Sequence, residues 1–137
     1  MIEDSQSAQT VYETRPWLKH YPGYMPADIS PQFASGLDML RETVRAMPEQ
    51  PAMYYFDQPI SYGELDRQSN AFAAALKDLG VTKGDRVALY LQNIPQFLVA
   101  MYGAWKAGAI VVLCNPMFKQ RELAYHLNDS GSTHGPK

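Results

Sequence analysis

The sequence predicts an α/β fold: a partial doubly wound parallel sheet with flanking helices. Two strongly apolar segments, residues 86–91 and 109–114, enclose a helical pattern that Pro95 opens and Gly108 closes. Strands that alternate with helices imply right-handed crossovers and a parallel sheet. Of the 137 residues, 46% are hydrophobic and 19% are charged. That much apolar material requires a packed core, which excludes a chain disordered throughout.

The first 28 residues are expected to form an extended N-terminal arm, neither helix nor strand. Pro16, Pro22 and Pro26 interrupt regular structure. The favoured interpretation is a segment pinned by its aromatic side chains to a body elsewhere. The alternative is an interfacial membrane anchor, although no amphipathic helix carries these rings. The aromatic residues are Tyr12, Trp17, Tyr21 and Tyr24.

A helix and a hairpin are expected next. Apolar spacing of three and four predicts a helix within residues 30–47, which Pro48 ends. Residues 52–56 form a short predicted strand, residues 57–59 a turn, and Ile60 begins a return strand. The apolar positions of the helix are Leu37, Leu40, Val44 and Met47.

The next helix begins with the spacing of a capping box, Ser61 and Glu64, and ends at Gly80. A turn at residues 82–85 then leads into the strand at 86–91. The predicted buried stripe of this helix is Leu65, Phe72, Leu76 and Leu79.

The helix that starts at Pro95 is predicted to have Asn93 as its cap. The strand at 109–114 is apolar throughout, as expected of a strand covered on both faces. After a turn at Asn115 and Pro116, residues 119–128 form the last predicted helix, with Leu123 and Leu127 one turn apart. The predicted apolar face of the first of these helices is Phe97, Leu98, Met101, Tyr102 and Trp105.

Residues 97–114 contain one charge, at Lys106, and their length is at the lower limit for a membrane span. A lysine at the centre of a span costs about 2.5–3.5 kcal/mol, and Gly108 interrupts the run. We therefore predict a buried helix and a buried strand, and no transmembrane span.

Charge and cysteine content exclude further classes of protein. The net charge of −2 offers no basic field, so nucleic-acid binding is not expected. The single cysteine, Cys114, excludes an intramolecular disulfide framework and a cysteine-based zinc site. The first six residues are acidic and polar, which argues against a secretory signal or a mitochondrial presequence.

The predicted sheet is incomplete. The last helix should return to a third parallel strand, and none follows in the sequence. An open apolar edge invites aggregation or pairing with another chain. We therefore interpret residues 29–131 as an incomplete part of a larger domain, and residues 132–137 as an irregular tail.

Seven short segments follow one another in a familiar order. They are ISYGELD at 60–66, ALKDLGV at 75–81, KGDRVA at 83–88, NIPQF at 93–97, KAGAIVV at 106–112, NP at 115–116 and RELAYHLNDSG at 121–131. This series resembles the N-terminal part of the adenylate-forming (AMP-binding) enzymes, which include acyl-CoA synthetases, peptide-synthetase adenylation domains and luciferases. The arm segment RPWLKHYP at 15–22 is most similar to bacterial long-chain fatty acid–CoA ligases.

The resemblance implies a two-step ligation in which ATP, magnesium and coenzyme A convert a long-chain fatty acid into an acyl-adenylate and then an acyl-CoA. The family's reacting groups lie in motifs further along the chain than residue 130. No residue here therefore inherits a catalytic, cofactor-binding or metal-binding role, and the chain alone is expected to be an inactive, truncated ligase. The family also suggests a cytoplasmic protein with peripheral association at the inner membrane face. The alternative is a short, non-catalytic protein that pairs through its open sheet edge.

The segment Ser130–Lys137 has the glycines and the lysine of a phosphate-binding loop. However, His134 stands where a small residue is needed, the strand before the loop is missing, and Ser130 with Gly131 also fits the end of a helix. We favour an irregular tail.

Other polar candidates have ordinary structural interpretations. We expect His126 to be a partly exposed helix residue and Cys114 a buried, inert thiol. Asp85 and Arg86 are expected at a turn, and Trp105 in the core. No second ligand lies at helical spacing from His126, so a metal site is not expected there; the other histidines are His20 and His134.

Overall fold

A computed structural model of the chain describes residues 10–132. The chain divides into two compact units, residues 1–32 and 33–137. The predicted boundaries of the arm, at residue 28, and of the tail, at residue 132, stay predictions.

The first unit contains two short helices, α1 (Val11–Thr14) and a 3-10 helix (Pro16–His20). Thr10 caps α1, because its hydroxyl accepts the backbone N–H of Glu13 at 3.3 Å and its own N–H donates to the Glu13 carboxylate at 2.6 Å. The prediction of an arm without helix is therefore wrong over these residues. A side-chain cap and a proline at the first helical position suffice to start a short helix.

Arg15 closes a loop within the first unit. Its guanidinium lies 2.8 Å from the carboxylate of Asp28 and donates to the carbonyl of Ala27 at 2.5 Å. The hydrogen bond and the charge of Arg15 lower the pKa of Asp28 below its usual value.

The second unit begins with α2 (Gly36–Ala46), which starts later than the sequence predicts. Ser35 caps it by accepting the backbone N–H of Asp38 at 3.1 Å. The residues before Ser35 are not helical, because an N-cap has an extended backbone and ends helical propagation on its N-terminal side.

A β-hairpin follows, in which β1 (Pro51–Tyr55) pairs antiparallel with β2 (Gln58–Ser61). The turn is formed by Phe56 and Asp57, whose φ values of 46° and 60° are of the left-handed kind that two-residue hairpin loops favour. The prediction that residues 57–59 form the turn is wrong, since Gln58 and Pro59 belong to β2.

Ser61 also caps α3 (Tyr62–Asp78), because its hydroxyl accepts the N–H of Glu64 at 3.1 Å. Only this half of the predicted capping box forms, since the Glu64 carboxylate bonds to Arg67 and Gln68 instead. The helix ends before Gly80, which has the predicted left-handed backbone (φ 86°). The buried stripe of α3 is Leu65, Ser69, Ala73 and Leu76.

Leu79 is a wrong prediction for this stripe, because 73% of its surface is exposed. It follows the last residue of α3 and caps its C-terminus. The helical periodicity that would have turned it inward ends one residue earlier.

Helix α4 (Pro95–Ala107) buries its small residues, and the predicted large apolar face is only half-buried. A Cβ atom on Gly103 would lie 2.8 Å from the Cδ1 atom of Phe72 and 2.9 Å from the Ser69 carbonyl oxygen. Only small side chains therefore fit between α3 and α4. Ile94, not Asn93, is the N-cap, and it makes no side-chain capping bond. The buried residues of α4 are Pro95, Ala100, Gly103, Ala104 and Ala107.

The second sheet consists of β3 (Arg86–Leu89) and β4 (Ile110–Leu113), which are parallel as predicted and shorter than predicted. Val87 pairs with Val111, and both pack against the core between α3, α4 and the start of β4. That core is Ala73, Leu76, Ala104, Ala107 and Ala109.

The prediction that the strand at 109–114 is covered on both faces is wrong. Ile110 is 50% exposed and Leu113 is 59% exposed. Within the described residues this sheet has two strands only.

The last helix, α5 (Gln120–Ser130), confirms the final predicted element and ends at Gly131 in a left-handed conformation. The hydroxyl of Tyr90, which follows β3, donates to the carbonyl of Phe118 at 2.6 Å. This bond fixes the loop that leads into α5. The α/β arrangement of helices and small sheets is the predicted fold class.

Candidate functional site

Among the ion pairs of the described residues, the least exposed charge is an ammonium group between α3 and α4. The Lys106 side chain is 9% exposed, and its Nζ atom lies 2.7 Å from the Oδ1 atom of Asp66. It also donates to the Ser69 hydroxyl at 2.7 Å and to the Asp66 carbonyl at 3.1 Å. Three acceptors satisfy the three N–H donors of the ammonium group, so Lys106 has no donor left for a phosphate or a carboxylate substrate.

The Ser69 hydroxyl completes this cluster. It donates to the carbonyl of Leu65 at 2.7 Å while it accepts from Lys106. In the sequence, Lys106 is an isolated charge within an apolar run, and that pattern does not predict its partners. They lie 37 and 40 residues away along the chain, and no local pattern indicates such a pair.

The predicted placements of His126, on a helix and partly exposed, and of Cys114, buried at the end of a strand, are confirmed. The imidazole of His126 is half-buried and stacks on Phe118, with ring centroids 4.5 Å apart and planes 15° apart. Cys114 is 4% exposed at the end of β4. Within residues 10–132, no group of three or more His, Cys, Asp or Glu side chains could hold a metal ion.

The turn before β3 is held by Asp85. Its carboxylate accepts the backbone N–H of Thr82 at 2.7 Å and the Thr82 hydroxyl at 2.8 Å. Arg86 is exposed at the start of β3, and the C-terminal end of α5 at Gly131 approaches its side chain. The structure places these residues at a turn, as predicted.

Trp105 is half-buried and not a full core residue. Its ring meets Tyr102 edge to face, with centroids 5.5 Å apart, and also lies against Gly36. Burial raises the pKa of the Tyr102 phenol, with a smaller contribution from Tyr62.

The candidate phosphate loop is described only at its start. Gly131 ends α5, and the hydroxyls of Ser130 and Ser132 lie 2.8 Å apart. His134 and Lys137 lie outside the described residues, so the interpretation of this segment as an irregular tail stays a prediction.

Four large apolar side chains in and after β4 are more exposed than the sequence predicts. Ile110, Leu113, Met117 and Tyr125 are all at least half exposed, although the sequence predicts that the strand among them is buried. None of the helices within residues 10–132 combines the length and the apolar composition of a membrane span.

Comparisons with known proteins agree with the resemblance seen in the sequence. Residues 40–134 match the family of AMP-binding enzymes. The chain is 42% identical over 119 residues to the long-chain-fatty-acid–CoA ligase of Escherichia coli O6:H1, a match that covers 85% of this chain and 21% of that ligase. The matched part is the N-terminal region of the ligase.

Solved structures show the same relationship in three dimensions. The N-terminal subdomain of NpsA from Klebsiella oxytoca has a TM-score of 0.70 at 29% identity, over 74% of this chain and 27% of that one. The fatty acyl CoA synthetase of Mycobacterium tuberculosis has a TM-score of 0.64 at 37% identity, over 69% and 19%. The chain therefore belongs to the family of AMP-binding enzymes, and it corresponds to the N-terminal region of the long-chain-fatty-acid–CoA ligases.

Proposed function

We propose that this chain is the N-terminal region of a ligase that activates long-chain fatty acids. In the whole protein, the fatty acid carboxylate would attack the α-phosphate of ATP, which releases pyrophosphate and leaves an acyl-adenylate. The thiol of coenzyme A would then displace AMP to form the thioester. The identity of 42% with the E. coli ligase, over 85% of this chain, is the observation that supports this proposal.

Within that ligase, we infer that residues 10–132 serve as scaffold. The described side chains do not offer a site to magnesium, because no acidic or histidine cluster is present among them. The ammonium group of Lys106 is already satisfied by Asp66 and Ser69. ATP, magnesium and coenzyme A would accordingly be held by other parts of the ligase.

The scaffold role predicts that the 137-residue chain alone does not form acyl-adenylate. The test is ATP–pyrophosphate exchange with a long-chain fatty acid, compared with the E. coli ligase under the same conditions. We expect exchange at the background rate. Exchange that requires the fatty acid and exceeds background would overturn the scaffold assignment.

The origin of the chain is tested by reading the DNA that follows codon 137 in all three frames. We expect a frame that encodes a hydrophobic strand and an intact phosphate-binding loop. If no frame encodes them, the proposal that the chain is part of a ligase fails, and the short protein must be explained by itself.

We also propose a cytoplasmic location with peripheral association at the inner membrane face, by analogy with the family. Peripheral association predicts that a membrane-bound fraction is released by an alkaline carbonate wash. Retention in the pellet after that wash would contradict it.

A second candidate function is favoured by the exposure of Ile110 and Leu113. In this proposal the chain is a non-catalytic protein that pairs through the open sheet edge, with itself or with a full-length ligase. A defined dimer in light scattering, after size-exclusion chromatography, is the expected result. A monodisperse monomer would contradict self-association.

A further inference from the structure

We propose that Lys106 fixes the register of α4 against α3, and through α4 the register of β4 against β3. The polar cluster of Lys106, Asp66 and Ser69 then specifies one packing of the second unit, which is a role distinct from stabilising that unit. All of the contacts that carry this inference lie between elements inside the unit.

The small residues that α4 buries do not by themselves specify its position along α3. They include Ala100, Gly103 and Ala104. A displacement of α4 by four residues brings Ala104, Ala107 and Gly108 to their places. Side chains of nearly the same size then fill the close-packed interface in both registers. One methyl group, at the place of Gly103, distinguishes the two registers sterically.

Strand β4 does not specify its own register either. Residues 109–114 are apolar throughout, and a slip by two residues keeps every side chain on its own face of the sheet. Such a slip is about 6.6 Å long, and four residues of helix span about 6 Å. Because α4 leads into β4 through Gly108, the helix and the strand can be displaced together.

Lys106 makes the two registers differ in charge. Residues 87–118, which include α4 and β4, contain no other Asp, Glu, Lys or Arg. The Lys106 Nζ atom lies 2.7 Å from both the Asp66 Oδ1 atom and the Ser69 Oγ atom. A displacement of about 6 Å carries the ammonium group out of reach of both acceptors. A side chain that is 9% exposed then holds an unpaired charge, which is strongly unfavourable.

Ser69 sharpens this selection, because its side chain is fully buried. Its hydroxyl donates to the Leu65 carbonyl at 2.7 Å, so the oxygen is left as an acceptor for Lys106. When the ammonium group is displaced, the buried oxygen loses that donor. A buried polar group without its partner adds a further cost to the wrong register.

The general behaviour of buried ion pairs separates register from stability. Removal of one partner is costly, because it leaves the other charge buried and unpaired. Replacement of the whole group by apolar side chains is often neutral for stability, whereas a single buried polar residue can specify how two helices align. Variants of the two kinds therefore distinguish the two roles.

The chain contains its own probe of the register. Trp105 precedes Lys106 on α4, and a Cβ atom on Gly36 of α2 would lie 3.4 Å from its ring. A displaced α4 moves this ring away from Gly36. The second tryptophan of the sequence, Trp17, belongs to the first unit and serves as an internal reference. The two indole N–H signals in a ¹⁵N–¹H correlation spectrum of the 137-residue chain are the measurement.

The decisive variant replaces the whole cluster, as Asp66→Leu, Ser69→Ala and Lys106→Met together. We expect its urea midpoint to recover at least about half of the loss that Lys106→Met causes alone. We expect its Trp105 signal to split into two, while the Trp17 signal stays single. The parent should give one signal for each tryptophan.

The matched control is Glu64→Gln with Arg67→Gln, which removes an ion pair that lies within α3 alone. Both of its indole signals should stay single, because that pair does not join two helices. Splitting of the Trp105 signal in this control, or of the Trp17 signal in the cluster variant, would indicate general loosening and would overturn the proposal.

A single Trp105 signal in the folded cluster variant would also overturn it, since the register would then be fixed without Lys106. If the cluster variant does not fold, Lys106→Met decides, because it also lacks the bonds to Asp66 and Ser69. Two Trp105 signals are expected there, and one signal contradicts the proposal. If neither variant folds, the cluster is needed for stability itself, and the proposed role is wrong.

Discussion

The Nζ atom of Lys106 lies 2.7 Å from the Oδ1 atom of Asp66, and this ion pair joins α4 to α3. Lys106 is the less exposed of the two side chains. Lys106, which interrupts the long apolar run at residues 97–114, thus helps to hold α4 against α3. Because Asp66 remains 29% exposed, the pair lies at the margin of the core and not at its centre.

Replacing Lys106 by Met should destabilise the chain by about 3 kcal/mol, because it leaves the Asp66 carboxylate and the Ser69 hydroxyl without their shared donor. The free energy of unfolding in urea measures this loss. Lys77→Met on the exposed surface of α3 is the matched control and should stay within about 0.5 kcal/mol of the parent. A loss equal to that of the control would show that the ion pair contributes nothing.

Gly103→Ala should destabilise the chain by about 1–3 kcal/mol, although alanine is the better helix former. The added methyl group would lie 2.8 Å from Phe72 and 2.9 Å from the Ser69 carbonyl. Gly23→Ala is the control, since no atom lies within 4 Å of its Cβ position. Thermal unfolding should separate the two variants, and a stabilised Gly103→Ala would contradict the close packing of α3 and α4.

Ser61→Ala should cost about 1 kcal/mol, because it removes the acceptor for the Glu64 N–H at the start of α3. Ser61→Asp retains an acceptor and should recover most of the loss. Equal stability of the alanine and aspartate variants in a urea titration would mean that this cap is not used.

Acid should weaken the first turn of α3. The hydrogen bonds from Arg67 and Gln68 lower the pKa of Glu64. A carboxylate whose pKa is lower in the folded state stabilises that state above its unfolded pKa, and this contribution is lost as the pH falls through the folded value. Glu64→Gln should therefore show a smaller loss of stability than the parent between about pH 5 and pH 3, measured as the urea midpoint. An identical pH profile would contradict the assignment.

Leu113→Lys should abolish self-association, because a charge on an edge strand opposes the addition of a second strand. Leu79→Lys makes the same change at an exposed position beyond α3, and it should leave the dimer intact. Sedimentation velocity on the two variants checks this directly. Dissociation by both variants would indicate a general effect of added charge.

The elements of the fold were accessible from sequence because their ends carry strong local signals. Pro95, Gly80 and Gly108 mark helix ends that the structure has at the same places. Parallel pairing of β3 with β4 followed from the alternation of strands and helices. Each of these signals acts within a few residues of the helix end. They can therefore be read from the sequence directly.

Which residues are buried was harder to predict from the sequence, because it depends on which helix packs against which. Hydrophobicity predicts that Trp105 and Tyr102 face inward, whereas the closeness of α3 gives that position to Gly103 and Ala104. The Lys106–Asp66 pair was missed for the same reason. Distances between helices are set by tertiary packing, and a single sequence does not state them.

Because Cys114 is buried, its reaction with thiol reagents can report local opening at the end of β4. It is the single cysteine of the sequence and is 4% exposed beside the end of β3. A thiol reagent reaches it only when the end of β4 separates from its neighbours, so the labelling rate measures the free energy of that local opening. The Cys114 thiol thus allows β4 to be followed in solution without any added probe.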